Sequence, residues 1–231
     1  YDWNTFYGLI AGGVLIAILG TVIQVGILRK RLGDEMDIIL MTIGIMYIIH
    51  YLAVEHWGRH PLPAAKMAFL RGSITIAGFN LITYRLFVII IGLLMAIAVK
   101  IFLDRTDVGL IVRAGIDDEG MTEAMGADIQ KIFTLVFAIG CAMVGLGGAA
   151  VFGWKGAYTN IGLEYLFFAF AIVVIGGLGS FKGSFYAALL AGFGESLAMY
   201  YAPELVGAPL FILMIVVLVL KPEGLGRIGG S

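Results

Sequence analysis

The sequence predicts an all-α polytopic membrane protein with about seven transmembrane helices, two of which form a pair broken by glycines. Apolar residues of the AVILMFWYC set make up 61% of the 231 residues and charged residues only 13%, and the mean hydropathy is +1.00. The charged residues lie mainly between apolar runs close to the roughly 20 residues that cross a bilayer. Because lipid offers the backbone no hydrogen-bond partner, such runs must be helical. A soluble enzyme and a nucleic-acid-binding domain are excluded, so we expect a lipid bilayer and no nucleic acid as partner.

Seven nearly charge-free runs follow one another along the chain and define the predicted spans. They cover residues 6–28, 38–54, 86–103, 132–154, 165–181, 183–202 and 205–220. We treat residues 1–231 as a single transmembrane domain, with residues 104–131 as a loop inside it.

The positive charges set the predicted orientation. Ten lysines and arginines fall on one side of the alternating spans: Arg29, Lys30, Arg31, Lys100, Arg105, Arg113, Lys131, Lys182, Lys221 and Arg227. Five fall on the other: Arg59, Lys66, Arg71, Arg85 and Lys155. The positive-inside rule places the first set, and with it the loop 104–131, in the cytoplasm. An external amino terminus, an odd number of spans and a first residue other than Met predict that an earlier span precedes Tyr1.

Four glycines interrupt the apolar stretch between the fifth and sixth spans, namely Gly176, Gly177, Gly179 and Gly183. In transporters, spans broken by glycine often bring free helix ends to a substrate, so this segment is a candidate for the translocation path. A plain cytoplasmic turn is an equal alternative, which Lys182 favours because a lysine is costly at the bilayer centre.

The sixth span carries a carboxylate, Glu195, and small residues at helical spacing. A carboxylate within a span indicates a functional site by default. A structural hydrogen-bond anchor near the outer interface is the alternative. The small residues predict a face for close helix packing; they are Ala187, Ala188, Ala191, Gly192 and Ser196.

The cytoplasmic loop contains an acidic-to-apolar segment, residues 117–126, which predicts a short helix. Aspartate is suited to cap its start, and Gly126 to end it in a left-handed conformation. Met121, Ala124 and Met125 would share one face. A helix this short is unstable alone, so we expect it to dock on the membrane surface or in a groove of a soluble partner.

The outer loop, residues 55–85, predicts two short strands, 73–76 and 81–83, around a turn at 77–80. It could receive a solute-binding protein or be an inert connection. We predict no catalytic site. His56 and His60 have metal-compatible spacing, but Pro61 ends a helix there and no third ligand follows, so no metal site is expected.

Several of these segments together resemble the branched-chain amino acid permease family, the membrane subunits of bacterial ABC importers for leucine, isoleucine and valine and of relatives that take urea or short amides. The resemblance rests on residues 174–180 with Gly183, on 192–195 and 220–226, and on Gly109, Arg113-Ala114 and Ala124-Met125-Gly126 in the loop. Two features depart from the family pattern. Lys182 stands where a proline is usual, and the first span with its Asn-Phe-Ala-His-Gly segment is not found.

The resemblance implies a permease subunit that moves branched-chain amino acids or small amides by alternating access, in the cytoplasmic membrane of a bacterium or archaeon. The loop helix would couple to a cytoplasmic ABC ATPase through Met121, Glu123, Ala124, Met125 and Gly126. The sequence has no G-x-x-x-x-G-K-[ST] phosphate loop, so ATP and Mg would be bound by the ATPase, with no cofactor on this chain. Other implied partners are a second permease subunit and a periplasmic or lipid-anchored solute-binding protein.

The implied translocation path comprises Gly176, Gly177, Gly179, Ser180, Gly183 and Glu195. A urea or short-amide permease and a passive channel that does not use ATP are the alternatives.

Overall fold

The computed structural model describes residues 2–31, 35–63, 72–76, 79–177, 179–222 and 224–227. The chain forms two compact units, Tyr1–Thr159 and Asn160–Ser231, and each is described by itself. The single-domain organisation stays a prediction.

The first unit contains six helices and one hairpin among its described residues. They are α1 Asp2–Gly26, α2 Glu35–Trp57, β1 Ser73–Ile76, β2 Phe79–Ile82, α3 Thr83–Arg105, α4 Asp107–Asp117, α5 Glu119–Ala124 and α6 Ile129–Lys155, with a 3-10 turn at Leu28–Arg31.

Helices α1 and α6 make the most extensive helix contact of this unit. Glycines permit it: a Cβ atom on Gly145 would lie 2.7 Å from the carbonyl oxygen of Gly12. A Cβ atom on Gly13 would lie 2.8 Å from the Leu146 side chain. Small residues thus bring the two backbones together, as is usual between membrane helices, where packing replaces the hydrophobic effect.

The hairpin confirms the two short strands predicted in the outer loop. Its strands are antiparallel, with Ser73 opposite Ile82 and Ile76 opposite Phe79. The second strand covers Phe79–Ile82 and not residues 81–83, because Phe79 and Asn80 pair with β1 and Thr83 is the first residue of α3. The predicted turn residues Ala77 and Gly78 lie outside the described part.

The second unit contains three helices among its described residues: α7 Ile161–Gly176, α8 Phe181–Tyr201 and α9 Ala208–Leu220, with 3-10 turns at Pro203–Leu205 and Leu225–Arg227. Its buried core comprises Ala171, Ile175, Ala187, Ala191, Leu210 and Val217. The predicted packing face of α8 is thus confirmed at Ala187 and Ala191, whereas Ala188, Gly192 and Ser196 are exposed.

The helical, polytopic class is confirmed. Among the described residues, four helices are long and apolar enough to cross a membrane: Tyr7–Gly26, Met36–Trp57, Thr83–Arg105 and Ile129–Lys155. Helices α7 and α9 are also apolar but shorter, with 16 and 13 residues. Each of the seven predicted spans lies mainly within one α-helix.

Two predicted boundaries were wrong. The fifth span ends at Gly176 and not at residue 181, because Gly177 leaves the helical region with φ of 89°. The seventh begins at Ala208 and not at residue 205, because a 3-10 turn occupies Pro203–Leu205.

Candidate functional site

The loop 104–131, predicted to be cytoplasmic, begins with a helix, α4, that folds back on the end of α3. Thr106 joins the two: its hydroxyl donates to the Phe102 carbonyl at 2.5 Å and accepts from the Gly109 amide at 3.1 Å. Arg113 makes a second link, since its Nη1 donates to the carbonyl oxygen of Leu103 at 2.6 Å. These side chains satisfy carbonyl groups that the end of α3 would leave unpaired.

The buried face of α4 is made of Gly109, Val112 and Gly115. Gly109 lies against the backbone of Leu103, where a Cβ would come within 2.7 Å of the carbonyl carbon. On Gly115, a Cβ would meet Ile129 of α6 at 3.5 Å. Helix α4 therefore packs against both α3 and α6. Sequence reasoning missed this helix, although a Thr-Asp start and small or apolar residues at three-residue spacing were its signal.

The second loop helix, α5, is shorter than predicted. Asp117 is the last residue of α4, so the single helix expected over 117–126 is wrong and α5 covers Glu119–Ala124. The break arises at Asp118, which is extended with φ of −153° and whose Oδ1 accepts from the Met121 amide at 2.9 Å. The aspartate cap and the left-handed Gly126, with φ of 91°, are confirmed.

The residues predicted to couple to an ATPase all lie on the surface of the loop. Glu123, Ala124 and Gly126 are exposed, and the side chains of Met121 and Met125 are 61% and 80% exposed. Thr122 alone in this helix is buried. The structure thus presents two apolar side chains, Met121 on a short capped helix and Met125 directly after it, as a surface suited to docking.

The loop ends at Asp128, which caps α6. Its Oδ1 accepts from the Lys131 amide at 3.1 Å and its Oδ2 lies 2.8 Å from the Lys131 ammonium. These hydrogen bonds lower the pKa of the Asp128 carboxyl, because they favour its charged form. Arg29 donates from Nε to Oε1 of Gln130 at 2.9 Å, so the end of α1 is joined to the start of α6.

The segment with the four glycines, from Gly176 to Gly183, is called the glycine break and separates α7 from α8. Gly177 and Gly179 have φ of 89° and 85°, a region that side chains disfavour. Ser180 caps α8, and its Oγ accepts from the Gly183 amide at 3.1 Å. Gly176, Gly177 and Gly183 are buried, whereas Gly179 is exposed. Leu178 lies outside the described residues.

The two sides of the break touch through backbone atoms. The carbonyl oxygen of Gly176 occupies the space that a Cβ on Gly183 would need. A Cβ on Gly176 would in turn collide with the backbone of Ser184 and lie 2.7 Å from the carbonyl carbon of Gly183. Five of the six predicted path residues are thereby brought into one short segment: Gly176, Gly177, Gly179, Ser180 and Gly183.

Glu195, the sixth predicted path residue, lies far from the break. It is 12 residues after Gly183 on the same helix, which corresponds to about 18 Å along the axis. Its Oε2 accepts from the Gly207 amide at 3.0 Å, immediately before α9. Its Oε1 is buried and has no hydrogen-bond partner among the described residues. This geometry favours the hydrogen-bond anchor over a site shared with the break.

Sequence analysis used the residues after α9 for the family resemblance and the charge count, and did not place them in the translocation path. In the structure, Gly224 and Gly226 lie against Gly177 and Ser180 of the break. Their spacing was visible in the sequence, but nothing local indicated the contact.

In the described part of the chain, no group of three or more His, Cys, Asp or Glu side chains is placed so that it could hold a metal ion. His56 packs edge-on against Trp57, with ring centroids 4.6 Å apart.

Fold and sites together define a polytopic helical membrane protein with a broken helix pair and an exposed, capped helix in the loop between α3 and α6. The family described as branched-chain amino acid transport system / permease component matches residues 1–218, and the chain belongs to this family. The resemblance drawn from the motifs is confirmed, and the family is one of transport permeases, not enzymes.

Curated relatives agree. The high-affinity branched-chain amino acid transport system permease protein BraD of Pseudomonas aeruginosa is 29% identical over 69% of this chain and 53% of its own length. LivH of Salmonella typhimurium, a permease protein of the same description, is 26% identical over 97% of this chain and 77% of its own length. LivH of Escherichia coli K12 is 32% identical over 60% of this chain and 46% of its own length. The matched part thus spans about half of BraD and of the E. coli protein. No solved structure matches the chain.

Proposed function

We propose that this chain is the membrane-spanning permease subunit of an ATP-driven ABC importer that moves branched-chain amino acids, or related small amides, into the cell by alternating access. The observation that carries the proposal is the family match over residues 1–218 together with relatives named as branched-chain amino acid permeases. The location follows as the cytoplasmic membrane of a bacterium or archaeon.

The proposed contact with the ATPase is the surface of α5 and the residues after it: Met121, Glu123, Ala124, Met125 and Gly126. The exposure of Met121 and Met125 supports it, because burying a methionine side chain contributes about 1.5–3 kcal/mol. The Asp118 cap and the packing of α4 against α3 and α6 give this surface a fixed base. A push on α5 would therefore be transmitted to two long helices.

The proposed translocation path runs beside the glycine break and continues toward Glu195 at the other end of α8. The turn offers main-chain dipoles and the Ser180 hydroxyl, which suit the polar groups of an amino acid or amide. The surrounding α7 and α9 are apolar and suit an aliphatic side chain. Glu195 is proposed to act there by holding the start of α9.

The partners are proposed from the kind of importer. ATP and Mg bind to a cytoplasmic ATPase, a second permease subunit, identical or homologous, completes the pathway, and a periplasmic or lipid-anchored solute-binding protein delivers the substrate. Apolar cavities separate close substrates by about 1–3 kcal/mol per methylene, so the binding protein supplies much of the selectivity.

Capture of an ATPase tests the proposal. The full chain, purified in mild detergent from cells that co-express candidate ABC ATPases, is expected to retain one of them, and Gly126→Glu should abolish retention. Gly58→Glu is the matched control. Gly58 is also a left-handed glycine, with φ of 76°, and nothing lies within 4 Å of its Cβ position. It lies on the predicted outer side, away from any cytoplasmic ATPase. Equal loss in both variants, or no capture by folded protein, contradicts the proposal.

Uptake into vesicles then separates the alternatives. ATP-dependent uptake of leucine supports the main proposal, whereas ATP-dependent uptake of urea or a short amide alone supports the amide permease. Uptake that is unchanged without ATP identifies a passive channel.

A further inference from the structure

The chain turns back on itself after α9. The Gly224 amide donates to the Lys221 carbonyl at 2.9 Å, and Leu225–Arg227 form one 3-10 turn. Gly224 is buried, although it lies only four residues beyond the end of α9. The segment 224–226, which we call the strap, therefore packs against the helices of the second unit.

The strap lies directly on the glycine break. A Cβ on Gly224 would meet the amide of Gly177 and lie 3.0 Å from the Gly176 carbonyl carbon. A Cβ on Gly226 would overlap the Ser180 side chain and lie 2.8 Å from the Gly176 carbonyl oxygen. Both strap glycines thus touch the main chain or the cap of the turn.

The contact is reciprocal at Gly183. A Cβ there would lie 2.7 Å from both the amide nitrogen and the Cα of Gly226. A side chain on Gly183 would therefore push away the strap as well as the Gly176 carbonyl. Three chain segments meet at distances that exclude a methyl group.

Leu225 anchors the strap between its two glycines. Its partly buried side chain packs against the core that α7, α8 and α9 share. The strap consequently has an apolar attachment to the helices and a backbone contact with the turn.

We infer that the strap is a positioning element of the proposed translocation path: it holds the α7–α8 break in its present backbone geometry, and the break changes shape only when the strap lifts. The position of the strap is independent of the proposed function, but the part that the strap plays in transport rests on that function. The strap acts through Ser180 and Gly183, so Gly226 is a positioning residue.

The rate of cysteine labelling measures whether the strap is docked, and it does not depend on a transport assay. In a Cys141→Ser background of the full chain in detergent, Leu225→Cys should react with a maleimide about tenfold more slowly than Lys221→Cys, because the strap must open first. Adding Gly183→Ala should raise the rate at position 225 to nearly that at 221. Gly192→Ala is the matched control on α8, because nothing lies within 4 Å of its Cβ position.

Gly226→Ala provides a second route should Gly183→Ala fail to fold, since it changes a strap residue and substitutes no residue of a long helix. It should also raise labelling at position 225. Equal parental rates at 225 and 221, or rates that neither substitution changes in folded protein, overturn the inference.

Uptake assays connect the strap to transport. Gly226→Ala should lower ATP-dependent uptake at least about threefold while ATPase capture is retained, and Gly192→Ala should change neither. If the parent captures no ATPase and takes up nothing, the proposed function fails while the labelling result still stands. If uptake by Gly226→Ala equals that of the parent although labelling rises, the strap has no part in transport.

Discussion

The loop 104–131 and the glycine break differ in what holds them in place. Side-chain hydrogen bonds from Thr106, Arg113 and Asp118 fix the loop, and its methionines face outward. Contacts between main-chain atoms fix the break, and most of its glycines are buried. The loop should therefore tolerate changes of its surface and lose stability in small steps, whereas the break should fail on the addition of a single carbon atom.

The largest expected effect follows from Gly176→Ala. Its Cβ would collide with the backbone of Ser184, which cannot rotate away as a side chain can, so we expect a loss of at least about 1–3 kcal/mol in stability or a failure to fold. Gly162→Ala on the same helix meets nothing within 4 Å and should fold normally. Thermal unfolding in detergent measures both, and similar midpoints for the two variants would remove the distinction between the regions.

An intermediate effect is expected for Asp118→Ala in the loop. The substitution removes the acceptor for the Met121 amide and should destabilise α5 by about 1 kcal/mol, while Asp118→Asn retains most of the cap. Hydrogen exchange at the Met121 amide reports this locally. The control is Asp117→Ala, which removes the neighbouring carboxylate and leaves the Asp118 cap in place. If the Met121 amide exchanges faster in Asp117→Ala but not in Asp118→Ala, the cap is not what orders the helix.

The smallest effect on stability is expected for Met125→Ser. Its side chain is 80% exposed, so the free energy of unfolding should change by no more than about 0.5 kcal/mol. ATPase capture should nevertheless weaken, because the docked surface loses an apolar contact. Met199→Ser, which alters a methionine 62% exposed on α8, should leave capture intact. Undiminished capture by Met125→Ser would indicate that this methionine does not contact the ATPase.

Features encoded within a few residues were predictable from the sequence. An aspartate cap on the loop helix, the left-handed Gly126 and the two short strands of the outer loop each depend on a local residue preference, and each was found. The glycines of the break were also recognisable, because their clustering in an apolar run is unusual.

Features that join distant residues were not predictable. The strap meets the break across more than forty residues, and Glu195 finds its partner at Gly207 through the α8–α9 turn. The packing of α1 on α6 through Gly12 and Gly145 depends on which helix faces become neighbours. Periodicity indicates that a face is small or apolar, but it does not say what will cover it.

The meeting of strap and break has a consequence for how such permeases diverge. Glycines, main-chain atoms and the Ser180 side chain make the junction, so it restricts the size of the residues at these positions. A related chain can therefore vary its other side chains without altering the contact, provided that these positions gain no Cβ atom. During evolution the glycines would then be the shared part, while residues away from the junction diverge.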